Sequence, residues 1–314
     1  MTPNSDAVSE RVSVAVEVLR RGGLVGLPTE TVYGLAADAR NEQAVRKIFV
    51  AKQRPSDHPL IVHIADAAEM ETWAKSIPSS AETLARSCWP GPLSIIVDKA
   101  PDVLEIVTGG RDSVALRVPA HPLALTVLRQ FGGGVAAPSA NRFGKVSPTT
   151  ADHVRGDLGD LVDFVLDGGP CQIGVESTIV DCTQFPPQIL RPGGIPNEHI
   201  ERLLDGSLAA PTGPSRASGM LTSHYAPNCR VQLARSPREA ERLAETLRRD
   251  GLAVDVVDPT LDTVNAATHL YGWFRDADSR GLDVLIAVLP PPAGLGHAIR
   301  DRLTKAAGQG YVGG

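Results

Sequence analysis

The sequence predicts an α/β protein in two parts: a large domain on a twisted mixed sheet with helices, then a small domain on a parallel sheet. Three observations predict it. Short apolar runs of strand length alternate with helical apolar stripes along most of the chain. The stretch Asp205–Asn228, rich in Gly, Ser, Ala and Pro, lacks apolar periodicity and reads as a linker. Three strand–helix units then follow in plain succession, as in a small Rossmann-like α/β domain. The expected division is 1–206, a linker at 207–229, and 230–314.

The elements follow from local chemistry. Ser5–Arg21 carries Val8, Val12, Ala15, Val16 and Leu19 at helical spacing, and Gly22-Gly23 stops it. Leu24–Leu27 is a short buried strand. Asn41 caps a helix to Lys52 with Ala44, Val45, Ile48 and Phe49 on one stripe. Further strands are expected at Leu60–Ile64, Leu93–Val97, Ser113–Val118, Val135–Ala137, Val162–Leu166, Thr178–Asp181 and Gln188–Leu190. Helices fit Ala67–Ala74, Ser79–Ser87, Pro122–Gln130, Thr150–Leu158 and Glu198–Leu204. The last units pair strands at Arg230–Leu233, Leu252–Val257 and Val284–Leu289 with helices at Arg238–Arg249, Thr263–Asp276 and His297–Ala306.

Composition excludes several classes. The longest apolar runs, such as Leu60–Ile64, fall far short of the roughly 20 residues that span a bilayer. The first residues lack the basic start and apolar core of a signal peptide, so a cytoplasmic protein is expected. A net charge of −5 disfavours a general polyanion-binding surface. Cys88, Cys171, Cys182 and Cys229 are scattered, with no CxxC pair, and read as buried reduced thiols.

Four segments carry chemistry. Pro28–Leu35 (PTETVYGL) follows a buried strand, at a carboxyl edge where open α/β sheets place ligands. Lys52-Gln53-Arg54-Pro55, with His58 beyond, sets two cations close together where a helix ends; they could converge on a triphosphate or simply answer the helix dipole. Ala137–Thr149 (APSANRFGKVSPT) offers backbone N–H groups, hydroxyls and a cation to phosphates, without a Walker pattern, or forms a polar turn. Gly174–Ile179 (GVESTI) and Ile189–Gly194 (ILRPGG) supply further polar groups at one sheet edge. Arg117, near the end of an apolar strand, needs a carboxylate, phosphate or ligand partner. Cations and hydroxyls outnumber candidate nucleophiles, which points to positioning and charge stabilisation of phosphoryl or adenylyl transfer.

PTETVYGL, KQRP, the Ser-x-Asn of APSAN, GVESTI and ILRPG, in this order, resemble the threonylcarbamoyl-adenylate synthases with the YrdC-like fold. SHYAP at Ser223–Pro227 and GLGHAIRDRLTKAA at Gly294–Ala307 resemble the linker and the C-terminal end of the two-domain form. The resemblance implies synthesis of threonylcarbamoyl-AMP from L-threonine, bicarbonate and ATP, with Mg²⁺ assisting and pyrophosphate released. A partner complex would then transfer the group to tRNA, with a transient tRNA contact by this chain. It further implies that Thr31, His63, Arg117, Ser139 and Ser177 line the threonine site, Arg117 by a bidentate contact. Lys52, Arg54, His58, Ser113, Asn141, Ser147 and Arg191 would hold ATP, with Lys52 and Arg54 catalytic and Tyr225 closing over the nucleotide. Thr149 stands as the alternative to Ser147. Two rival readings remain: an RNA- or tRNA-binding module without catalysis, and carbamoyl transfer to another protein, as in hydrogenase maturation factors of the same fold.

Overall fold

The computed structural model describes residues 5–206, 208–209 and 225–308. Most of the expected linker, including Ser223 and His224, therefore lies outside the described residues. Helix α1 (Ser5–Arg20) buries Val12, Ala15, Val16 and Leu19 on one face and ends at Gly22, whose φ of 72° is open to glycine. Strands β1 (Val25–Leu27) and β2 (Gly34–Asp38) then form an antiparallel pair. Helix α2 (Glu42–Lys52) starts where the Asn41 side chain accepts from the Ala44 N–H at 3.1 Å. It is followed by β3 (Ile61–His63), a 3₁₀ turn at Ala67–Thr72, α3 (Ser79–Cys88), β4 (Leu93–Asp98), α4 (Glu105–Thr108), β5 (Ser113–Arg117), α5 (Pro122–Phe131) and β6 (Val135–Ala136). Helix α6 (Ala151–Leu158), β7 (Phe164–Val165), β8 (Thr178–Asp181), β9 (Gln188–Arg191) and α7 (Asn197–Leu203) complete the domain.

Three elements differ from expectation. β2 was not anticipated: Gly-Leu-Ala-Ala-Asp has little strand propensity, and pairing with β1 and β6 on its two sides makes it a strand. Ala67–Ala74 is a 3₁₀ turn rather than an α-helix. The Asp66 side chain caps Ala68, and after Met70 the chain is drawn back to the sheet by Lys75 N–H to Asp98 O at 2.8 Å and an Ala74–Lys99 bridge. The one-turn α4 was unforeseen, too short to show a period.

Among the described residues the strands form a nine-stranded mixed sheet, β7-β1-β2-β6-β3-β5-β4-β8-β9. Register decides which side chains share a face. Ile61 pairs Ala115 and His63 pairs Arg117 in the parallel β3–β5 ladder. Val62 and Leu116 therefore point to the main core, with Ile95, Val97 and Val180. Ile61, Ala115, Ile96, Ile179 and Leu190 make an apolar floor on the opposite face.

The small domain runs β10 (Arg230–Ala234), α8 (Pro237–Arg249), β11 (Val254–Val257), α9 (Thr263–Ser279), β12 (Val284–Val288) and α10 (Gly296–Ala307). Its parallel sheet has the order β10-β12-β11. Helix α8 packs on one face; α9 and α10 pack on the other. The core under α9 and α10 also takes in Val32, Val146 and Val175 of the large domain. The two domains thus share one hydrophobic cluster, and each fully buried side chain of this size contributes about 1.5–3 kcal/mol. Contact is close enough to require glycine: a Cβ on Gly174 (φ 77°) would stand 2.5 Å from the Ala267 and Thr268 backbone of α9. Arg275 of α9 adds a two-pronged ion pair to Asp157 at 2.6 and 3.0 Å and donates to Val146 O at 2.8 Å.

Candidate active site

A cavity of about 50 Å³ lies between the apolar floor and the loops that cross it. Its walls are Thr29, Thr31, Val32, Gly34, Ser139, Glu176, Ser177, Arg191, Tyr225, Arg54, His63 and Arg117, with Ile61 and Ala137 beneath. The segments do not meet at a single rim, as the strand-end reading expected. β6 runs antiparallel to β3, so its carboxyl end brings Ser139 toward Ile61, while His63 and Arg117 arrive from the other end. The site covers the face of the sheet because its strands are too short to separate their two ends.

The residues expected to line a threonine site converge. Thr31 Oγ1 is 2.8 Å from Thr29 Oγ1, which donates to Val32 O at 2.6 Å and shapes the turn after β1. His63 is buried, with Nδ1 3.3 Å from Ile61 O. Burial, followed by the Arg117 charge, pushes its pKa down to about 3, so the ring is neutral. Ser177 Oγ is 2.8 Å from Ser94 Oγ and 3.1 Å from Arg191 Nη2. Arg117 is engaged on one edge: Nη2 donates to Glu30 Oε1 at 2.7 Å and Nε to Gly91 O at 3.2 Å, which leaves both Nη1 hydrogens and one on Nη2. The other edge, formed by Nη1 and the second Nη2 hydrogen, keeps donors for a carboxylate beside the Glu30 ion pair.

The residues expected to hold ATP divide. Arg54 and Arg191 reach the cavity; Lys52, His58, Ser113, Asn141 and Ser147 stand outside its walls. Gln53, at φ 54°, ends α2 in the left-handed conformation and turns the chain so that Arg54 lies over the Phe143 ring at 5.6 Å. Burial, with Arg191 nearby, lowers the Arg54 pKa to about 10, still cationic at neutral pH. Lys52 is 1% exposed; its Nζ donates to Asn141 O at 2.6 Å and to Ser139 O. It staples the Ser-x-Asn turn from beneath, and burial drives its pKa well below the ordinary lysine value. Asn141 donates to Arg142 O and Lys145 O, while its buried Oδ1 has no partner among the described residues. His58 packs edge-on to Phe143 at 5.2 Å. Ser113 shares the cleft face with Ala115 and Arg117, lying toward Pro59, whose carbonyl accepts from Arg54. Ser147 donates to Glu176 Oε1 at 2.7 Å, whereas Thr149 sits against His153 and not in the cleft wall. Tyr225 is 1% exposed, holds φ 63°, and lies under the Arg302 guanidinium at 4.9 Å.

Four residues were missed. Glu30 anchors Arg117 and accepts from Ala120 N–H at 3.1 Å. Glu176 accepts from Ser147, Tyr271 and Arg302. Both carboxylates stand inside motifs singled out for other members. Arg302 had a readable signal: it falls in the buried stripe of α10 beside Ile299 and Leu303. Tyr271 had none, since an aromatic in such a stripe reads as core.

The telomere-recombination family (Sua5, YciO and YrdC) matches residues 17–193, and the C-terminal domain of threonylcarbamoyl-AMP synthase matches residues 195–308. The threonylcarbamoyl-AMP synthase of Pyrococcus abyssi is 42% identical over 320 residues, covering 95% of this chain and 94% of its own length. The Bacillus subtilis protein of that name is 41% identical over 324 residues, with 95% and 93% covered. A crystal structure of P. abyssi Sua5 complexed with L-threonine superposes with a TM-score of 0.90 at 40% identity, covering 94% of each chain.

Proposed function

This chain belongs to the Sua5/YrdC family of threonylcarbamoyl-AMP synthases, and on that footing we propose that it joins L-threonine, bicarbonate and ATP into threonylcarbamoyl-AMP, releasing pyrophosphate. One observation carries the reading. One cavity is walled by hydroxyls, the neutral His63 and Arg117 together with the cations Arg54 and Arg191. An amino acid and a nucleotide need those two chemistries side by side.

The threonine carboxylate takes the Nη1–Nη2 edge of Arg117 that Glu30 leaves open. His63, neutral at working pH, offers a ring nitrogen to the amino group, and Thr31, Ser139 and Ser177 supply hydroxyls. The amine attacks the carbon of carbon dioxide and releases a proton, or attacks bicarbonate with loss of a C–O bond and release of water, to give a carbamate. A carbamate oxygen then attacks the α-phosphorus, and the bond to pyrophosphate breaks. A carbamate is short-lived in water, so a dry cavity serves the reaction. Arg54 and Arg191 neutralise charge on the departing phosphates. Lys52 holds the Ser139–Asn141 turn from below. His58, Ser113 and Ser147 extend the nucleotide surface beyond the present walls, and Asn141 Oδ1 takes a donor from the nucleoside.

A cavity of about 50 Å³ is far below the roughly 300–1,000 Å³ of ordinary ligand pockets. The Tyr225 ring therefore withdraws to admit ATP and returns over it. Mg²⁺ does not fit a resident protein site: among the described residues there is no cluster of three metal-ligating side chains, and Glu30 and Glu176 are engaged by donors. It enters as the ATP complex, a part of the substrate.

We assign 1–206 to synthesis, 207–229 to the linker and 230–314 to the domain that covers the cleft. No described helix is long and apolar enough to cross a membrane; the cytoplasm is the proposed compartment. The product is consumed by a transfer complex acting on tRNA, which this chain contacts transiently. The deciding experiment incubates the chain with ATP, bicarbonate and each amino acid in turn. Pyrophosphate release that depends on threonine supports the reading; release with none, or tight tRNA binding in place of turnover, refutes it.

A further inference from the structure

Helix α10 carries a charge where its apolar stripe should continue. Arg302 is fully buried between Ala298, Ile299 and Leu303. Its Nε donates to Glu176 Oε2 at 2.7 Å, and Nη1 donates to Pro192 O at 3.1 Å and to Asp301 Oδ2 at 2.5 Å. Its Nη2 finds no hydrogen-bond acceptor among the described residues, and the guanidinium lies over the Tyr225 ring at 4.9 Å. Helix α9 adds Tyr271, whose hydroxyl is 2.8 Å from each Glu176 oxygen. Glu176 thus receives donors from two helices of the C-terminal domain and from Ser147 of the large one.

Arg302 is absent from the cavity wall, yet its contacts touch that wall at separate points. Glu176 and Tyr225 line the cavity. Ser177 follows Glu176, and Pro192 follows Arg191, which is tied to Ser177 O at 2.9 Å. The adjoining Gly193 packs so tightly that a Cβ would sit 2.4 Å from the Glu176–Thr178 backbone. An apolar side chain of similar volume would hold α10 in place without removing a guanidinium from water, and a buried ion pair is weak evidence of stability alone. Its reach to the other domain's carboxylate orients groups rather than gluing them.

We infer that Arg302 is a positioning residue of the cleft, contributed by the C-terminal domain and acting through Glu176. It fixes the carboxylate that orients Ser147, and it seats Tyr225. The inference rests on the synthase reading above.

The test compares the full chain with Arg302→Met, with Tyr271→Phe, and with the neutral double variant Arg302→Met/Glu176→Gln. Threonine-dependent pyrophosphate release and hydrogen exchange are both measured. Arg302→Met should lower kcat/KM on the order of 10–100-fold, the usual cost of losing a supporting partner. Amides 144–149 and 175–178 should exchange faster while β10–β12 stay protected, and Tyr271→Phe should move the same amides less. The double variant should regain melting temperature without regaining turnover, because no charge is left unpaired but nothing orients Ser147 or Tyr225. If Arg302→Met does not fold, the double variant decides. Recovery of both properties in the double variant, or unchanged turnover and exchange in Arg302→Met, overturns the inference. Failure of the unmodified chain to release pyrophosphate would overturn the synthase reading instead, and the exchange measurement would still decide the coupling.

Discussion

Glu176→Gln tests the buried network most directly. Burial alone would raise the carboxyl pKa, but Arg302, Arg191 and the Ser147 hydroxyl outweigh it and bring it down to about 2, from an ordinary 4.5. At 1.36 kcal/mol per unit, that shift contributes about 3 kcal/mol of stability at neutral pH. The figure agrees with the roughly 3–5 kcal/mol lost when one partner of a buried pair is removed. Because the folded pKa lies below the unfolded one, this stabilisation is complete above about 4.5 and is lost as pH falls toward 2. Urea unfolding of the unmodified chain and of Glu176→Gln, followed from neutral pH downward, should show a gap of about 3 kcal/mol that closes below pH ~4. The other carboxylates titrate in both proteins, so the difference isolates Glu176. A gap of constant size across that range would refute the argument, as would no gap at neutral pH.

Other outcomes follow from the same geometry. Arg54→Ala and Lys52→Ala should both abolish threonine-dependent pyrophosphate release. Lys52→Ala should also lower the melting temperature, since the Ser139 and Asn141 carbonyls lose their donor at about 1–3 kcal/mol each, and Arg54→Ala should lower it less, since only the part-buried Pro59 carbonyl loses one; near-normal turnover in both variants would sink the assignment. Gly174→Val should push α9 away from the large domain, seen as faster proteolysis between the domains and a larger radius of gyration by X-ray scattering; an unchanged radius would count against the docking geometry. His63, lowered to about 3 by burial and Arg117, stays neutral across the working range. The pH profile of turnover should therefore show no step near 6.5 attributable to it, and a step there that vanishes in His63→Gln would contradict the buried neutral ring.

Much of the site was legible because its chemistry is carried by short contiguous motifs. Lys52 and Arg54 flank a helix end that Asn41 and the apolar stripe already define. Ser139 and Asn141 follow a strand of buried small residues, and the Arg191 turn holds glycine where the backbones nearly touch. β2 was not legible, since Gly34–Asp38 has little strand propensity and becomes a strand by pairing with β1 just before it and with β6 about a hundred residues on. Nor was the state of the charged groups. Arg117 needs a partner by any reading of its strand, but only the fold shows that Glu30 meets it before any ligand can. Lys52 reads as a phosphate cation and is found with its ammonium on two backbone carbonyls.

Most of the helices and strands, the two-part organisation and the residue types that line the cleft were determined by the sequence, because periodicity, caps and motif composition act over a few residues. Tertiary structure decided how those parts work together. Sheet order brought strand ends of opposite direction over one apolar floor, and docking of α9 and α10 carried Tyr271 and Arg302 onto Glu176, about a hundred residues earlier in the chain. Such contacts are set by burial and by pairing of charge across space, and a linear pattern of residue types does not encode which distant partner will be met.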